Sequence, residues 1–424
     1  MKKVLGDTRK VILICYCLLV SVTAFAQQKE LTIEECYGLA KNNYPLLKQM
    51  SLVEKTKGYS LDNASKGYLP QVSFNGQATY QSDVTEIPIP NVNVSPLSKD
   101  QYKLYAEVSQ PLTDIYTIRQ QKELIKATAV SDAQALETDL YKLRERINQI
   151  YFGILLIDAQ IELTTILKKD IQSGLDKANA AIANGVALKS SADVLRAEML
   201  KAEQRDIELR AGRKGYTDML GLFINKAIDA NTKLQTPVTQ QISTTINRPE
   251  LKYYEAMKKT VGIQNKLITA RNIPRVNLFL QGGYGKPALN FLKNDFTFYY
   301  IGGIRLNWNL SGLYTMRKDK QQLLVNQHQI DIQKEVFLFN TNLSLAQQNN
   351  DIVKYKELID TDNEIILLRA KIKATANSQL ENGTITANDF LSYVNAENQA
   401  KQNRVLHQFQ SLMAQYTYQS TSGN

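Results

Sequence analysis

The sequence predicts a mainly helical chain with a membrane β-portion: two long coiled-coil hairpins and four amphipathic strands, arranged as a tandem repeat. Three observations predict it. The ten prolines leave residues 112–236 and 288–424 free of proline, so very long helices are permitted there. Four segments alternate apolar and polar residues at period two. Proline-marked motifs recur at a fixed offset.

The chain begins with a targeting pattern. Lys2, Lys3, Arg9 and Lys10 precede an apolar run, Val11 to Val20, and Ala24-Phe25-Ala26 gives an A-x-A cleavage signal. Residues 1–26 are expected to be removed, and Cys15 and Cys17 go with them. Cys36 then has no partner for an internal disulfide. Two histidines and three cysteines in 424 residues argue against a Cys/His zinc site; no metal and no cofactor is expected. The net charge of +10 is mild for this length and contains no dense basic block, which excludes the usual nucleic-acid footprint.

The first helix is expected from Leu31-Thr32-Ile33-Glu34-Glu35-Cys36 onward. After Pro70, Val72, Phe74, Gly76, Ala78 and Tyr80 alternate with Ser73, Asn75, Gln77 and Thr79. Tyr102, Leu104, Ala106 and Val108 alternate with Lys103, Tyr105, Glu107 and Ser109. The later pair places Val276, Leu278, Leu280, Gly282 and Tyr284, and Phe298 to Trp308 at every second residue, on the apolar side. Each segment has about the 9–11 residues of a tilted transmembrane strand. Tyr80, Tyr102, Tyr284 and Phe298 lie near the hairpin tips and Trp308 at the opposite end, the layout of two interfacial aromatic girdles. Four strands cannot close alone; two copies would pool eight and three would pool twelve.

Long helices follow each strand pair. Leu140, Leu143, Ile147, Ile150, Ile154, Ile157 and Ile161 keep a 3-4 spacing. Leu338, Leu345, Ile352, Ile359 and Ile366 recur every seven residues, the seam of helices packed side by side. Residues 113–184 read as one helix of roughly 110 Å at 1.5 Å per residue. Asn184-Gly185 and Asn382-Gly383 mark the turns that end these helices.

Two halves follow. Pro45 and Pro249, and Pro70 and Pro274, share one spacing, while Leu112 to Arg119 and Leu310 to Arg317 share a slightly shorter one with the two Asn-Gly turns. The first repeat is expected over 27–232, with strands near 70–82 and 101–112 and a turn near 184–192. The second covers 233–424, with strands near 274–285 and 297–310 and a turn near 382–389.

These residues resemble the TolC family of outer-membrane efflux proteins. Leu31 to Cys36 with Asn42-Asn43-Tyr44-Pro45 is similar to the family's first helix, and Tyr68-Leu69-Pro70 to its approach to the first strand. Gln110-Pro111-Leu112-Thr113-Asp114 resembles its strand-to-helix corner, with Trp308-Asn309-Leu310-Ser311-Gly312 as a loose repeat. Arg248-Pro249-Glu250-Leu251 opens the second half, and Asn382-Gly383-Thr384 with Asp389-Phe390-Leu391 resembles the periplasmic turn.

The resemblance implies a homotrimer with a 12-stranded β-barrel in the outer membrane and a 12-helix tunnel in the periplasm. It implies an exit duct, not an enzyme, for an inner-membrane pump and a periplasmic adaptor of an efflux or type I secretion system. Asn184, Gly185, Val186, Asn382, Gly383 and Thr384 then form the adaptor-docking tips. Leu380 and Ile385 occupy the positions of the family's Tyr and Arg lock. Asp389 and Ser392 occupy the positions of a paired aspartate ring, so Asp389 is expected to form the narrowest charged ring, with Asp193 as a wider contribution. An Asp at a helix start also serves as a plain cap or dipole partner. Two rivals are a periplasmic coiled-coil adaptor, which resembles one helical hairpin set between barrel-like soluble domains where this chain has two hairpins and four amphipathic strands, and a secreted enzyme using a pair such as Glu34 and Glu35.

Overall fold

The computed structural model describes residues 30–86, 96–229, 232–239 and 243–424. The targeting segment expected over 1–26, with Cys15 and Cys17, lies outside the described residues. In chain order the elements are α1 (Ile33–Asn43), α2 (Leu47–Ser65), β1 (Gln71–Tyr80), β2 (Asp100–Pro111), α3 (Asp114–Tyr141), α4 (Leu143–Ala183), α5 (Lys189–Ile224), α6 (Pro249–Arg271), β3 (Arg275–Lys286), β4 (Thr297–Asn307), α7 (Gly312–Glu381) and α8 (Ala387–Ser422). They fall into two compact units, each drawing on both halves of the chain.

One unit comprises residues 45–141 and 247–342. Its four strands form an antiparallel sheet in the order β1-β2-β3-β4. Register decides the faces, because a one-residue slip would exchange them. Val72 lies opposite Val108, which lies opposite Leu280, which lies opposite Gly302. Ser73 is likewise aligned with Glu107, Gln281 and Ile301. The apolar sides of all four strands therefore share one face, and the polar sides share the other. β4 ends at Asn307, short of the boundary expected near 310. Trp308 follows the last strand residue, and its Nε1 donates to the Asn272 carbonyl at 3.1 Å, tying the strand end to the end of α6.

The other unit comprises residues up to Tyr44, 142–246 and 343–424. Its core stripe is the 3-4 series: Leu143, Ile147, Ile150 and Ile154 are buried, with Tyr151 and Phe152 beside them. The stretch 114–183 includes 18 residues apolar enough to cross a bilayer by length and composition; this buried stripe accounts for apolar side chains in it. α1 is closed by a capping box: Glu35 N–H donates to Thr32 Oγ1 at 3.1 Å and the Glu35 carboxylate reaches back to Thr32 N–H. Glu35 thus has a structural part. Cys36 is fully buried behind it, and burial, then Glu35 and Glu34, push its thiol up to about 12, leaving it inert at neutral pH.

The helix expected over 113–184 is divided. α3 and α4 are separated at Lys142, whose dihedrals of −60° and −18° stay in the helical region. The regular helix is interrupted at that one residue. The second repeat has no such break, and α7 runs 70 residues without interruption.

Candidate functional site

Two regions bear on function: the sheet and the paired helical tips. On the sheet, Val72, Phe74, Leu280, Ile304 and Leu306 project outward with at least half their surface exposed. A large apolar face left open is not the default of a water-soluble sheet. The opposite face carries a cross-strand pair that sequence spacing did not reveal. Arg305 on β4 donates to both Glu107 carboxylate oxygens on β2, at 2.8 and 3.1 Å, passing over the Phe279 ring of β3 at 4.2 Å. Gly303 lies directly opposite Phe279, and a Cβ there would sit 3.3 Å from the ring.

Four of the five girdle residues, Tyr80, Tyr102, Tyr284 and Phe298, gather at the loop end of the sheet on the apolar face. Tyr102 lies opposite Ala78, and Tyr284 lies opposite Phe298 with ring centroids 4.7 Å apart. Trp308 lies at the other end, beyond β4.

At the helical tips, both turns are built alike. Gly185 and Gly383 have φ of +74° and +68°. In each, the glycine N–H and the next N–H reach back into the last helical turn: Gly185 to Ile182 at 3.0 Å and Val186 to Ala181 at 2.9 Å, Gly383 to Leu380 at 3.1 Å and Thr384 to Gln379 at 2.9 Å. This left-handed stop satisfies carbonyls that the helix end would otherwise leave open.

Val186, Asn382, Gly383, Thr384 and Asp389 line one cleft of about 580 Å³ between the turns. Asn184 and Gly185 flank it, and Asp193 and Ser392 are exposed outside it. Asp389 is at the third position of α8, and Thr386 is the N-cap. Asp389 N–H donates to Thr386 Oγ1 at 3.2 Å; its Oδ2 accepts from Thr386 N–H at 3.0 Å and from Thr386 Oγ1 at 2.7 Å. These hydrogen bonds hold its carboxyl below the usual aspartate range. Leu380 and Ile385, at the positions of the family's polar lock, pack against an apolar cluster of Ile171, Leu195, Phe390, Leu391 and Val394.

The polar link between the hairpins lies further from the turns. Lys373 on α7 bonds Asp170 on α4 at 2.9 Å and Glu397 on α8 at 2.5 Å, and Lys401 reaches Glu397 at 2.8 Å. Burial works against both charges, yet the hydrogen bonds win: Lys373 is raised and Glu397 is lowered from their ordinary values. Lys177 adds Glu381 at 2.5 Å, and Asn395 donates to Glu198 at 3.0 Å.

The model of the Outer membrane efflux protein family matches residues 36–216. No curated protein matches the chain by sequence. Among solved structures, the outer membrane protein VceC from Vibrio cholerae is 12% identical, with 92% of this chain and 96% of that one covered and a TM-score of 0.68. The outer membrane channel CmeC of Campylobacter jejuni is 12% identical over 95% of this chain and 87% of its own, with a TM-score of 0.62. The open-state outer membrane channel MtrE of Neisseria gonorrhoeae is 14% identical over 92% and 89%, with a TM-score of 0.64.

Proposed function

We infer that this chain is an outer membrane efflux protein, the family whose model matches residues 36–216, and that it is the exit duct of a tripartite efflux or type I secretion system. It receives cargo from an inner-membrane pump and an adaptor and passes it out through the outer membrane. The observation that carries the reading is the open sheet with one apolar face. In lipid every backbone N–H and C=O needs a partner, so the outer edges of β1 and β4 pair with other copies. Eight or twelve strands would close; the family resemblance selects three copies and twelve strands. An exposed stripe on α7, including Ile332, Val336, Phe339 and Leu343, supports further burial between copies.

An adaptor has no use for four membrane-length strands, so the exit-duct reading stands over it. The tips at Asn184, Gly185, Val186, Asn382, Gly383 and Thr384 meet the adaptor, and Asp389 lines the aperture with Ser392 and Asp193 around it. The test is assembly in detergent. Native mass spectrometry or crosslinking is expected to return a trimer extracted from the outer membrane. A stable folded monomer in the membrane fraction would sink the reading.

A further inference from the structure

The loop between β3 and β4 is unusually apolar for a segment that leaves a sheet. Leu289, Phe291 and Leu292 are 56%, 59% and 60% exposed. Their exposure comes from an ordered turn. Asn290 Oδ1 accepts from Leu292 N–H at 3.0 Å, and Lys293 N–H donates to the Asn290 carbonyl at 3.2 Å. Asn294 then clamps the neighbouring loop: its Nδ2 donates to Ser98 Oγ at 2.9 Å and its Oδ1 accepts from Ser98 N–H at 3.1 Å.

The descending arm shows which side the loop takes. Phe296 stacks on Tyr284 and Tyr102, with centroids 5.6 and 6.1 Å apart. Both tyrosines belong to the apolar face of the sheet, not to the face of Glu107 and Arg305. The loop is therefore anchored on the apolar, lipid-facing side of the sheet. The helices α3 and α7 leave from the other end of the sheet, so this loop lies at the outer leaflet.

We propose that residues 287–296 form a lipid-contacting collar, in which Leu289, Phe291 and Leu292 enter the interface of the outer leaflet beside the strands. Large apolar side chains next to aromatic rings suit that boundary. Lys286, on the apolar face at the end of β3, and Lys293 bring ammonium groups on long stems that extend to headgroup phosphates; Asp295 is the one acid in the loop. The proposal rests on the membrane reading of the sheet, so the experiment tests the two separately.

In the full-length protein, Trp308→Phe removes the one native tryptophan. Onto it are added, one at a time, Phe291→Trp, Leu292→Trp and the sheet-face control Ile304→Trp. Each is reconstituted in phosphatidylethanolamine–phosphatidylglycerol vesicles, and oligomer formation is checked on gels. The collar predicts loss of Phe291→Trp and Leu292→Trp fluorescence with lipids brominated near the headgroup end, and little loss with aqueous iodide. Quenching by iodide alone, with Ile304→Trp still quenched by brominated lipid, overturns the collar and leaves the sheet reading intact. Protection from both quenchers places the loops against protein over the channel mouth and also overturns it. An Ile304→Trp control insensitive to brominated lipid removes both readings.

Discussion

The two helical tips share a turn and differ in how the next helix begins. Each has an Asn-Gly pair, a left-handed glycine and the same two backbone hydrogen bonds. Beyond the glycine the repeats part. Where α8 starts with Thr386 as N-cap, Asp389 closing the capping box and Phe390 in the core, α5 starts with Leu188, Ser191 and Ala192 at the matching positions. Leu188 makes no capping bond and is 76% exposed, and Val186 beside it is 77% exposed. A stop that needs positive φ has one cheap solution, glycine, so both repeats retain it. A helix start has many solutions, so the repeats diverge there. The first tip leaves apolar side chains exposed, and the second is locked into its own core.

The largest expected effect falls on that lock. Phe390→Ala empties the centre of the cluster around Ile171, Leu195 and Val394, and a buried Phe→Ala costs about 3–5 kcal/mol. Hydrogen exchange over the start of α8 is expected to accelerate accordingly, while the start of α5 holds. The same ring explains Gly174 inside α4, where a Cβ would lie 2.6 Å from Phe390 Cε1. Gly174→Ala should cost about 1–3 kcal/mol by overpacking, and much less once Phe390 is already Ala. Strict additivity of the two would break the comparison.

Next comes the ion cluster one step from the tips. Glu397→Gln leaves Lys373 short of its most buried partner, and loss of one member of a buried pair costs about 3 kcal/mol. The pH dependence follows from the directions of the shifts. Glu397 is lowered, so its contribution is present above the unfolded glutamate value of about 4.3 and is lost as pH falls through the folded value. Lys373 is raised, so its contribution is present below about 10.4 and is lost as pH rises through its folded value. Thermal melts of wild type should lose stability at the acid end, and Glu397→Gln should flatten that limb. An unchanged acid limb would place the acid sensitivity elsewhere.

The long helices, the strands and both stops were legible in the sequence because each depends on local rules. Proline-free heptads give helices, period two gives strands, and Asn-Gly after an apolar stripe gives a stop. What was hidden depends on partners far apart in the chain. Lys373, Asp170 and Glu397 come from three helices, so no spacing along one helix announces them. Gly174 reads as a helix-weakening residue until Phe390 is seen against it. In the sequence Asp389 is an acid at a helix start, open to a ring, a cap or a dipole partner; its part as the third residue of a box depends on where α8 begins, and boundaries are the least legible feature of a helix. Lys142 carries no breaker signal, since its dihedrals remain helical.

A smaller effect separates the two starts directly. Thr386→Ala removes the cap of α8 and should cost about 1 kcal/mol. Leu188→Thr gives α5 the cap it lacks and should gain stability by up to about 1 kcal/mol, at the expense of exposed apolar surface. If the first tip is the adaptor's surface, Leu188→Thr raises the melting temperature and weakens drug resistance in cells. A stabilised variant with full efflux would mean that the apolar residues at the first tip serve no partner.

The smallest expected effect on the fold, and the most informative about the aperture, is Asp389→Asn. The carboxylate is exposed, and its Oδ2 takes both bonds from Thr386. An amide oxygen can accept the same bonds, so α8 should start at the same residue. The charge is what changes. Because the Thr386 bonds hold this carboxyl low, it stays ionised across neutral and mildly acidic pH; its contribution is lost as pH falls through the folded value. In a trimer the same side chain occurs three times about the axis, and a ring of carboxylates attracts cations. Asp389→Asn in planar bilayers is therefore expected to reduce cation selectivity and weaken block by divalent cations added on the periplasmic side. Such a mutant, folded as a trimer but conducting and blocked like wild type, would reduce Asp389 to its part in the capping box and move the charged aperture to other residues.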